Sequence, residues 1–294
     1  MADDALLELK SGALDLGLCP RHGGTIAHLR WRGRDLLRPA GAALIEQGDV
    51  RESGCFPMVP FSGRIADARF GFRGETFELE RNFGADPHAI HGQGWQLPWQ
   101  VAHAGENRAE LVLEHHVAGT PLFYHATQTF ALSETALEVK ITLTNAGDRP
   151  MPAGMGLHPY FIRTPGATLQ ATLGHVWLTD QRMIPRERVD LPETFDFSRP
   201  RRLAGLELDH GFGGWDGRAE LIWPEQALRL RLQADPVFDH LVIYVPPGED
   251  FFCVEPTSHA NNGFNLLEQG VEETGVQVLE AGESLSGTVS FLAG

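Results

Sequence analysis

Alternating hydrophobic and polar positions identify several segments of the chain as β-strands. In residues 137–144, four aliphatic side chains alternate with charged or hydroxyl side chains. Residues 228–233 repeat the pattern with leucines between arginines and a glutamine, and Leu111 with Leu113 suggests a similar strand. A period of two residues is typical of a strand with one buried face. These segments therefore predict β-sheet.

The C-terminal half contains two more predicted strands. Residues 240–245 (HLVIYV) are apolar almost throughout and are closed by Pro-Pro-Gly at 246–248, which indicates a strand buried on both faces. The pattern at 285–291 indicates a last strand. The chain has no sustained helical period, internal repeat or Gly/Ser-rich linker, so we predict an all-β fold in one domain, residues 1–294.

The least regular segment runs from about Gln181 to Gly217. Three prolines interrupt it, and four glycines stand near its end. We expect a long connection here, of the kind that is often functional in a compact domain. Asp209 lies within this segment.

The composition excludes several classes of partner. Hydrophobic residues make up 42% and charged residues 21%, which is typical of soluble globular proteins, and 33 glycines with 19 prolines favour turns over long helices. The net charge of -15 argues against nucleic acid or an anionic membrane as partner, because phosphate recognition relies on clustered Lys and Arg. A neutral small molecule is a better match to this negative charge than a polyanion.

The chain start and the cysteines indicate the compartment. Residues 1–5 lack the features of a signal peptide, and no apolar run is long enough to span a bilayer, so we expect a cytoplasmic protein. The three cysteines are odd in number and widely spaced, which fits neither a disulfide framework nor a zinc motif. We expect reduced, structural cysteines, with Cys253 on the same strand face as Glu255. The cysteines are Cys19, Cys55 and Cys253.

His158 and Glu255 each lie in an apolar segment and directly precede a proline. Because proline restricts the residue before it to extended conformations, we expect both side chains to project from strand ends or turns and not from helices. An imidazole and a carboxyl placed in this way can share proton transfer. Poor solvation would raise the pKa of Glu255 toward the range of a general base, but an edge carboxylate turned into water or paired with an arginine fits equally well. For His158 alone, a buried histidine bonded to a backbone carbonyl is the simpler explanation.

Arg64 and His91 are further candidates for ligand contacts. The guanidinium of Arg64, between Phe61 and Ile65, offers several donors to hydroxyl or ring oxygens, although it could also be a surface arginine. His88 and His91 precede a glycine-rich turn, but no Cys, Asp or Glu stands at a spacing diagnostic of metal binding. Three tryptophans could stack on a sugar or pack in the core: Trp95, Trp99 and Trp215.

Taken in order, these segments resemble the aldose 1-epimerase family, the galactose mutarotases. The resemblance spans nearly the whole chain and depends on the order and spacing of the segments, since no single short motif decides it. The segments are 20–26 (PRHGGTI), 61–65 (FSGRI), 90–92 (IHG), 156–161 (GLHPYF), 208–212 (LDHGF) and 254–256 (VEP).

The resemblance implies a large antiparallel β-sandwich, the galactose mutarotase-like supersandwich, with a sugar cleft and neither metal nor organic cofactor. It implies that Glu255 is the general base for the anomeric hydroxyl and that His158 is the general acid for the ring oxygen. Arg64 and His91 would bind the sugar near the ring oxygen and anomeric centre, and Asp209 would accept hydrogen bonds from ring hydroxyls. The implied reaction interconverts the α and β anomers of a free aldose. We expect a monomer or homodimer.

Two departures from the family pattern leave the preferred sugar open. Ser62 stands where asparagine is common, and Ile162-Arg163 replace the Asn-Leu common in galactose mutarotases.

Three alternatives are open. A related enzyme acting on a hexose 6-phosphate would need basic residues at the phosphate, and three arginines near Arg64 could serve: Arg69, Arg73 and Arg81. A β-sandwich can also bind carbohydrate without transforming it, although His158 and Glu255 in protected settings argue against this. A cupin-like metalloenzyme would need its histidines to converge on a metal.

Overall fold

The computed structural model describes residues 6–294, which form mainly antiparallel β-sheet. This confirms the predicted all-β fold. Residues 1–5, on which the expectation about a signal peptide rests, lie outside the described residues. The helical segments of residues 6–294 are α1 (Ala42–Gln47), α2 (Gly263–Glu268) and the 3₁₀ turns Val50–Glu52, Ala66–Ala68, Glu193–Phe195 and Pro224–Gln226. None of these helices is both long enough and apolar enough to cross a lipid bilayer.

The strands are short and closely spaced, as the many glycines and prolines require. In chain order they are β1 (Leu7–Ser11), β2 (Leu14–Cys19), β3 (Thr25–Trp31), β4 (Arg34–Asp35), β5 (Cys55–Met58), β6 (Arg64–Ile65), β7 (Arg69–Phe72), β8 (Glu75–Glu78), β9 (Ala89–Ile90), β10 (Gln100–Ala104), β11 (Arg108–His116), β12 (Phe123–Leu132), β13 (Ala136–Asn145), β14 (Met151–Ala153), β15 (Gly156–Ile162), β16 (Thr168–Ala171), β17 (His175–Thr179), β18 (Pro185–Asp190), β19 (Arg201–Arg202), β20 (Leu208–Gly213), β21 (Arg218–Trp223), β22 (Leu228–Ala234), β23 (His240–Val245), β24 (Phe251–Thr257), β25 (Gln277–Leu279) and β26 (Ser284–Ala293).

Two large sheets share one hydrophobic core. The first, of 11 strands, has the order β1-β2-β3-β5-β15-β24-β23-β20-β17-β18, with β4 paired to β3. The second, of 9 strands, has the order β10-β11-β12-β13-β26-β22-β21-β16-β19. Three small ribbons pair β14 with β25, β6 with β9, and β7 with β8. Buried side chains from both large sheets form one contiguous cluster, the arrangement of a β-sandwich.

The alternating segments of the sequence have the two faces that their pattern predicts. In β13 the four aliphatic side chains are buried, whereas Glu138 and Lys140 are exposed. In β22 the leucines are buried, and Arg229 and Arg231 are exposed. The period of two therefore places the core residues of the second sheet correctly.

Strand β23 differs from its prediction. Leu241 and Ile243 pack in the core, but Val242 and Tyr244 are half-buried and line a cavity on the other side of the sheet. The second face of this strand is apolar because it borders that cavity, and not because a second core layer covers it.

The segment 181–217 is not one long connection. It contains β18, β19 and β20, and β20 lies inside the 11-stranded sheet between β23 and β17. Proline is tolerated here because Pro185 begins β18, an edge strand of this sheet. Asp209 therefore lies on a paired strand, and the expectation of an irregular connection around it is wrong.

The alternation in β13 predicts a sharp difference between neighbouring substitutions. Ile141→Ala should lower the free energy of unfolding by about 2–5 kcal/mol, because the side chain is fully buried. Lys140→Ala, on the exposed face, should change it by no more than about 0.5 kcal/mol. Urea unfolding followed by circular dichroism measures both values, and equal losses would contradict the assigned faces.

Candidate active site

His158 and Glu255 face each other across two neighbouring strands. Strands β15 and β24 pair on both sides of these residues, and the register of the flanking pairs sets His158 directly opposite Glu255. Pro159 and Pro256 lie in the interrupted stretch of the ladder, where neither nitrogen has a hydrogen to donate. The Nε2 atom of His158 is 3.3 Å from Oε1 of Glu255.

Both residues lie inside strands, so the expectation that they project from strand ends or turns is wrong. The expected extended backbone is present, and it is held by strand pairing with β5 on one side and β23 on the other. A proline is tolerated inside these strands because the ladder between β15 and β24 is interrupted at both prolines. Local sterics fix the extended conformation, whereas the neighbouring strands decide where the element begins and ends.

A row of neighbouring residues crosses six strands through this pair, directly paired at every step except between His158 and Glu255, where the ladder is interrupted. Its members all line a cavity of about 730 Å³. They are Phe56, His158, Glu255, Val242, Gly211 and Trp177. The alternate residues of the same strands belong to the hydrophobic core, for example Leu157, Val254, Ile243 and Phe212. The cavity therefore lies on the face of the 11-stranded sheet that points away from the core.

A second row of paired residues runs beside the first. It contains Tyr160, Cys253, Tyr244 and Asp209, of which all but Cys253 line the cavity. The prediction that Cys253 shares a face with Glu255 is confirmed, since its Sγ and the polar atoms of His158 and Glu255 lie within 4.8 Å of one another. These three residues could hold a metal ion, but burial raises the pKa of Cys253 well above its usual value and favours the thiol, a weak ligand. All three cysteines are buried and none forms a disulfide bond.

Arg64 and His91 reach the cavity from the β6–β9 ribbon. His91 has a left-handed backbone, with φ of 59°. Its Nδ1 accepts a hydrogen bond of 3.1 Å from the N–H of Gly63, and its own N–H donates to the carbonyl of Gly63 at 2.8 Å. Because Nδ1 is the acceptor, the neutral ring carries its hydrogen on Nε2. Burial, followed by the charges of His158 and Arg64, lowers the pKa of His91 well below its usual value.

The guanidinium of Arg64 interacts with two carboxyl groups. Its Nε is 3.6 Å from Oδ2 of Asp86, and its charge opposes the rise in the pKa of Asp209, which is caused by burial. The backbone of Arg64 is held by two adjacent asparagines: its N–H donates to Oδ1 of Asn261, and its carbonyl accepts from the N–H of Asn262 at 2.8 Å. The structure thus brings all five predicted site residues around one cavity.

The imidazole of His158 is enclosed by aromatic rings. Its centroid is 4.4 Å from that of Phe56 and 4.7 Å from that of Tyr160, and both rings are stacked on it. The guanidinium of Arg38 lies over the outer face of Tyr160, 4.1 Å from the ring centroid. Burial, with a contribution from Arg38, lowers the pKa of His158 to about 3. The ring is therefore held in one orientation and favours its neutral form.

Glu255 is also driven toward its neutral form. Its side chain is 4% exposed, and burial followed by the negative charge of Asp209 raises its pKa well above the usual value, with Arg64 opposing. Since burial penalises both the carboxylate and the imidazolium, the pair titrates as a unit and favours the state with one proton in total. Such a pair can accept one proton and release another without a change in its net charge.

Sequence patterns missed several residues of this cavity. His259 donates from Nδ1 to the carbonyl of Ala260 at 2.7 Å, and its Nε2 accepts from the N–H of Ser62 at 3.0 Å. It therefore fixes the segment just before Arg64. Trp177 and Arg38 also line the cavity. No local signal could have found His259, because Ser62 lies 197 positions away in the chain.

Apart from Trp95, the other candidates lie away from the cavity. Nδ1 of His88 accepts from the N–H of Asp67 at 2.9 Å, so His88 and His91 do not converge on one ligand. Of the three tryptophans, Trp95 lines the cavity, and the other two donate to backbone carbonyls in buried positions elsewhere. Arg69 and Arg73 are exposed and pair with glutamates.

Known proteins resemble this chain over nearly its whole length. A model of the aldose 1-epimerase family matches residues 6–292. The uncharacterized protein YphB of Escherichia coli K12 is 32% identical over 292 residues, 96% of this chain and 97% of YphB. The crystal structure of a provisionally assigned aldose 1-epimerase from Escherichia coli K12 has a TM-score of 0.90 and 31% identity over 99% of both chains.

More distant structures share the fold. A galactose mutarotase-like protein from Clostridium acetobutylicum has a TM-score of 0.83 at 18% identity, over 98% of this chain and 94% of its own. At that identity the likeness concerns the β-sandwich alone. The match of the family model and the Escherichia coli relatives, in contrast, extends over nearly every described residue. The chain therefore belongs to the aldose 1-epimerase family.

Proposed function

We propose that the protein is a mutarotase that interconverts the α and β anomers of a free aldose, with His158 and Glu255 as its acid-base pair. The observation that carries the proposal is the direct opposition of these two buried groups, with Nε2 and Oε1 3.3 Å apart, at the wall of a cavity large enough for a sugar. Anomer exchange moves one proton off the anomeric hydroxyl and another onto the ring oxygen. A pair that retains one proton in total fits this requirement.

Burial holds the single proton of the pair on Glu255, so this proton first passes to Nε2 of His158 across the 3.3 Å between the two groups. Ring opening then starts with Glu255 as carboxylate and His158 as imidazolium. Glu255 takes the proton of the anomeric hydroxyl, the C1–O1 bond becomes a carbonyl, and the C1–O5 bond breaks. His158 gives its proton to O5 as that bond breaks. The pair ends as carboxylic acid and neutral imidazole, so its proton count is unchanged and burial favours the product state.

Reclosure reverses these transfers on the opposite face of the aldehyde. After rotation about the C1–C2 bond, His158 takes the proton from the O5 hydroxyl as O5 attacks C1, and Glu255 returns its proton to O1. Each residue thus acts once as acid and once as base. A positioned acid or base is typically worth about 10²–10⁴-fold in rate.

Three further residues would bind and orient the sugar. His91 offers an Nε2–H donor, because its Nδ1 is already occupied by Gly63. The Arg64 guanidinium offers donors to the ring oxygen region, and Asp209 offers acceptors to ring hydroxyls. The positive charge of Arg64 also favours the carboxylate forms of Glu255 and Asp209, since it opposes the rise in the pKa of both groups.

The charges around the cavity favour a free sugar over a sugar phosphate. Its lining contains five carboxyl residues and three arginines. Arg51 is paired with Asp49 at 2.6 Å, and Arg38 is stacked on Tyr160. Arg69 and Arg73, which could have served a phosphate, are paired elsewhere. A dianionic group would therefore meet mostly negative or engaged side chains.

Glu255→Gln and His158→Asn should each lower kcat by about 10²–10⁴-fold, because each removes one of the two proton carriers. Polarimetry on freshly dissolved α-anomers of glucose, galactose, xylose, arabinose and glucose 6-phosphate measures the rates. Glu138→Gln and His125→Asn, exposed on the second sheet, are the matched controls and should retain full activity.

The same panel tests the alternatives. Binding of a sugar by the wild type with no acceleration over the uncatalysed rate would support the carbohydrate-binding alternative. A clear preference for glucose 6-phosphate would overturn the free-sugar assignment. Full activity in either active-site variant would remove that residue from the mechanism.

We expect a bell-shaped pH profile of kcat/KM after subtraction of the uncatalysed rate. The acid limb follows addition of a second proton to the pair, and the pKa of His158, lowered to about 3, puts that limb far below neutral pH. The alkaline limb follows loss of the single proton, which the raised pKa of Glu255 delays.

Asp209→Asn tests this assignment of the alkaline limb. The negative charge of Asp209 raises the pKa of Glu255, so its removal should move the alkaline limb to lower pH. Glu207→Gln, at an exposed carboxyl just before β20, is the matched control and should leave the limb in place. A limb that stays in place or moves upward in Asp209→Asn would contradict the coupling.

A further inference from the structure

Gly211 stands in the interior of a paired strand, where glycine is unfavourable. It lies in β20, opposite Val242 of β23 on one side and Trp177 of β17 on the other. Glycine in a strand interior adds no packing and loses more backbone entropy than other residues. Its presence there often marks a bulge, a bend or the close approach of a ligand.

The backbone does not require a glycine at this position. Gly211 is not among the described residues with positive φ, and β20 pairs with both neighbours here without a shift in register. Any L-residue could adopt its extended conformation. A bulge and a left-handed turn are therefore both excluded as explanations.

Packing does not require it either. A Cβ atom on Gly211 would have a single neighbour within 4 Å, Cγ2 of Val242 at 4.0 Å. The indole of Trp177 does not cover the glycine, because it packs against Ala260 and Leu266. The space above Gly211 is open to the cavity that Gly211 lines.

Gly213, two residues further along the same face, provides the contrast. A Cβ atom there would lie 2.2 Å from Nε2 of His175, so the His175 ring leaves no room for a side chain unless it moves. The strand thus contains one glycine that its neighbours require and one that they do not.

The position of Gly211 in the cavity indicates what approaches it. Gly211 is two strands from Glu255 in the row of paired residues, which places it on the order of 10 Å away. Val242, with a short apolar side chain, lies between them. Asp209 precedes Gly211 by two residues and lines the same cavity. The sheet surface next to the acid-base pair is therefore low, apolar and bordered by a hydrogen-bond acceptor.

We propose that Gly211 is a specificity-determining residue of the sugar site and that it forms, with Val242, a floor on which one face of an aldopyranose ring lies. The C–H groups of that face contact Val242 and the Cα of Gly211, while C1 lies at Glu255 and the hydroxyls reach Asp209. A side chain at 211 would lift the ring away from the acid-base pair. This inference rests on the proposed function and deepens it.

Gly211→Ala and Gly211→Val test the floor, with Gly213→Ala as the matched structural control. Gly211→Ala should raise KM and the sugar Kd by about 10-fold or more, since one added carbon in a fitted pocket has an effect of this size, and Gly211→Val should raise them further. The Tm of Gly211→Ala should equal or exceed that of the wild type, because alanine is the better residue in an unstrained strand. Gly213→Ala should instead melt at a lower temperature.

Two measurements keep this inference separate from the proposed function. NMR titration with glucose, galactose, xylose and arabinose gives Kd, and polarimetry gives KM and kcat on the same sugars. Wild-type binding that weakens in Gly211→Ala supports the floor even if the wild type catalyses nothing, in which case only the proposed function fails. A Kd and KM within twofold of the wild type in Gly211→Ala would overturn the floor alone. A wild type that binds none of these sugars would overturn both.

Discussion

The register between β15 and β24 is the constraint on which the whole site depends. It sets His158 opposite Glu255 and sends their side chains to the face away from the core. A slip by one residue would turn one of the two groups into the hydrophobic core, on the opposite face from the other, because side chains alternate between the two faces of a strand. The ladder itself is interrupted at the two prolines, so the flanking pairs and the outer strands, β5 and β23, must hold the register.

Burial gives that pairing its chemical character. A carboxyl and an imidazole in water would have independent pKa values near their usual ones, but here both neutral forms are favoured. The aromatic rings stacked on His158 exclude water and also fix the plane of the ring. Arg64 partly offsets the combined negative charge of Glu255 and Asp209. The sheet therefore holds the carboxyl of Glu255 and the imidazole of His158 close together in a site from which water is largely excluded.

The second wall of the cavity depends on contacts between distant segments. His259 and Asn261 follow β24 and hold the segment that contains Ser62 and Arg64. That segment in turn sets His91 through two hydrogen bonds with Gly63. The segment that carries Arg64 is thus held by residues that closely follow the strand of Glu255. This attachment links the position of the proposed base to the position of the proposed sugar-binding groups.

The sequence by itself determined the all-β class, the buried faces of strands such as β13, and the extended backbone at His158 and Glu255, because periodicity and proline sterics are local. Its family resemblance also named five residues that converge on the cavity. Local signals failed at Asp209, where prolines and glycines suggested a connection although pairing with β23 and β17 makes a strand. Only the tertiary structure decided which residues oppose each other, which groups are driven to their neutral forms, and which glycine faces open space. These properties depend on register and burial between segments far apart in the chain, which no local pattern encodes.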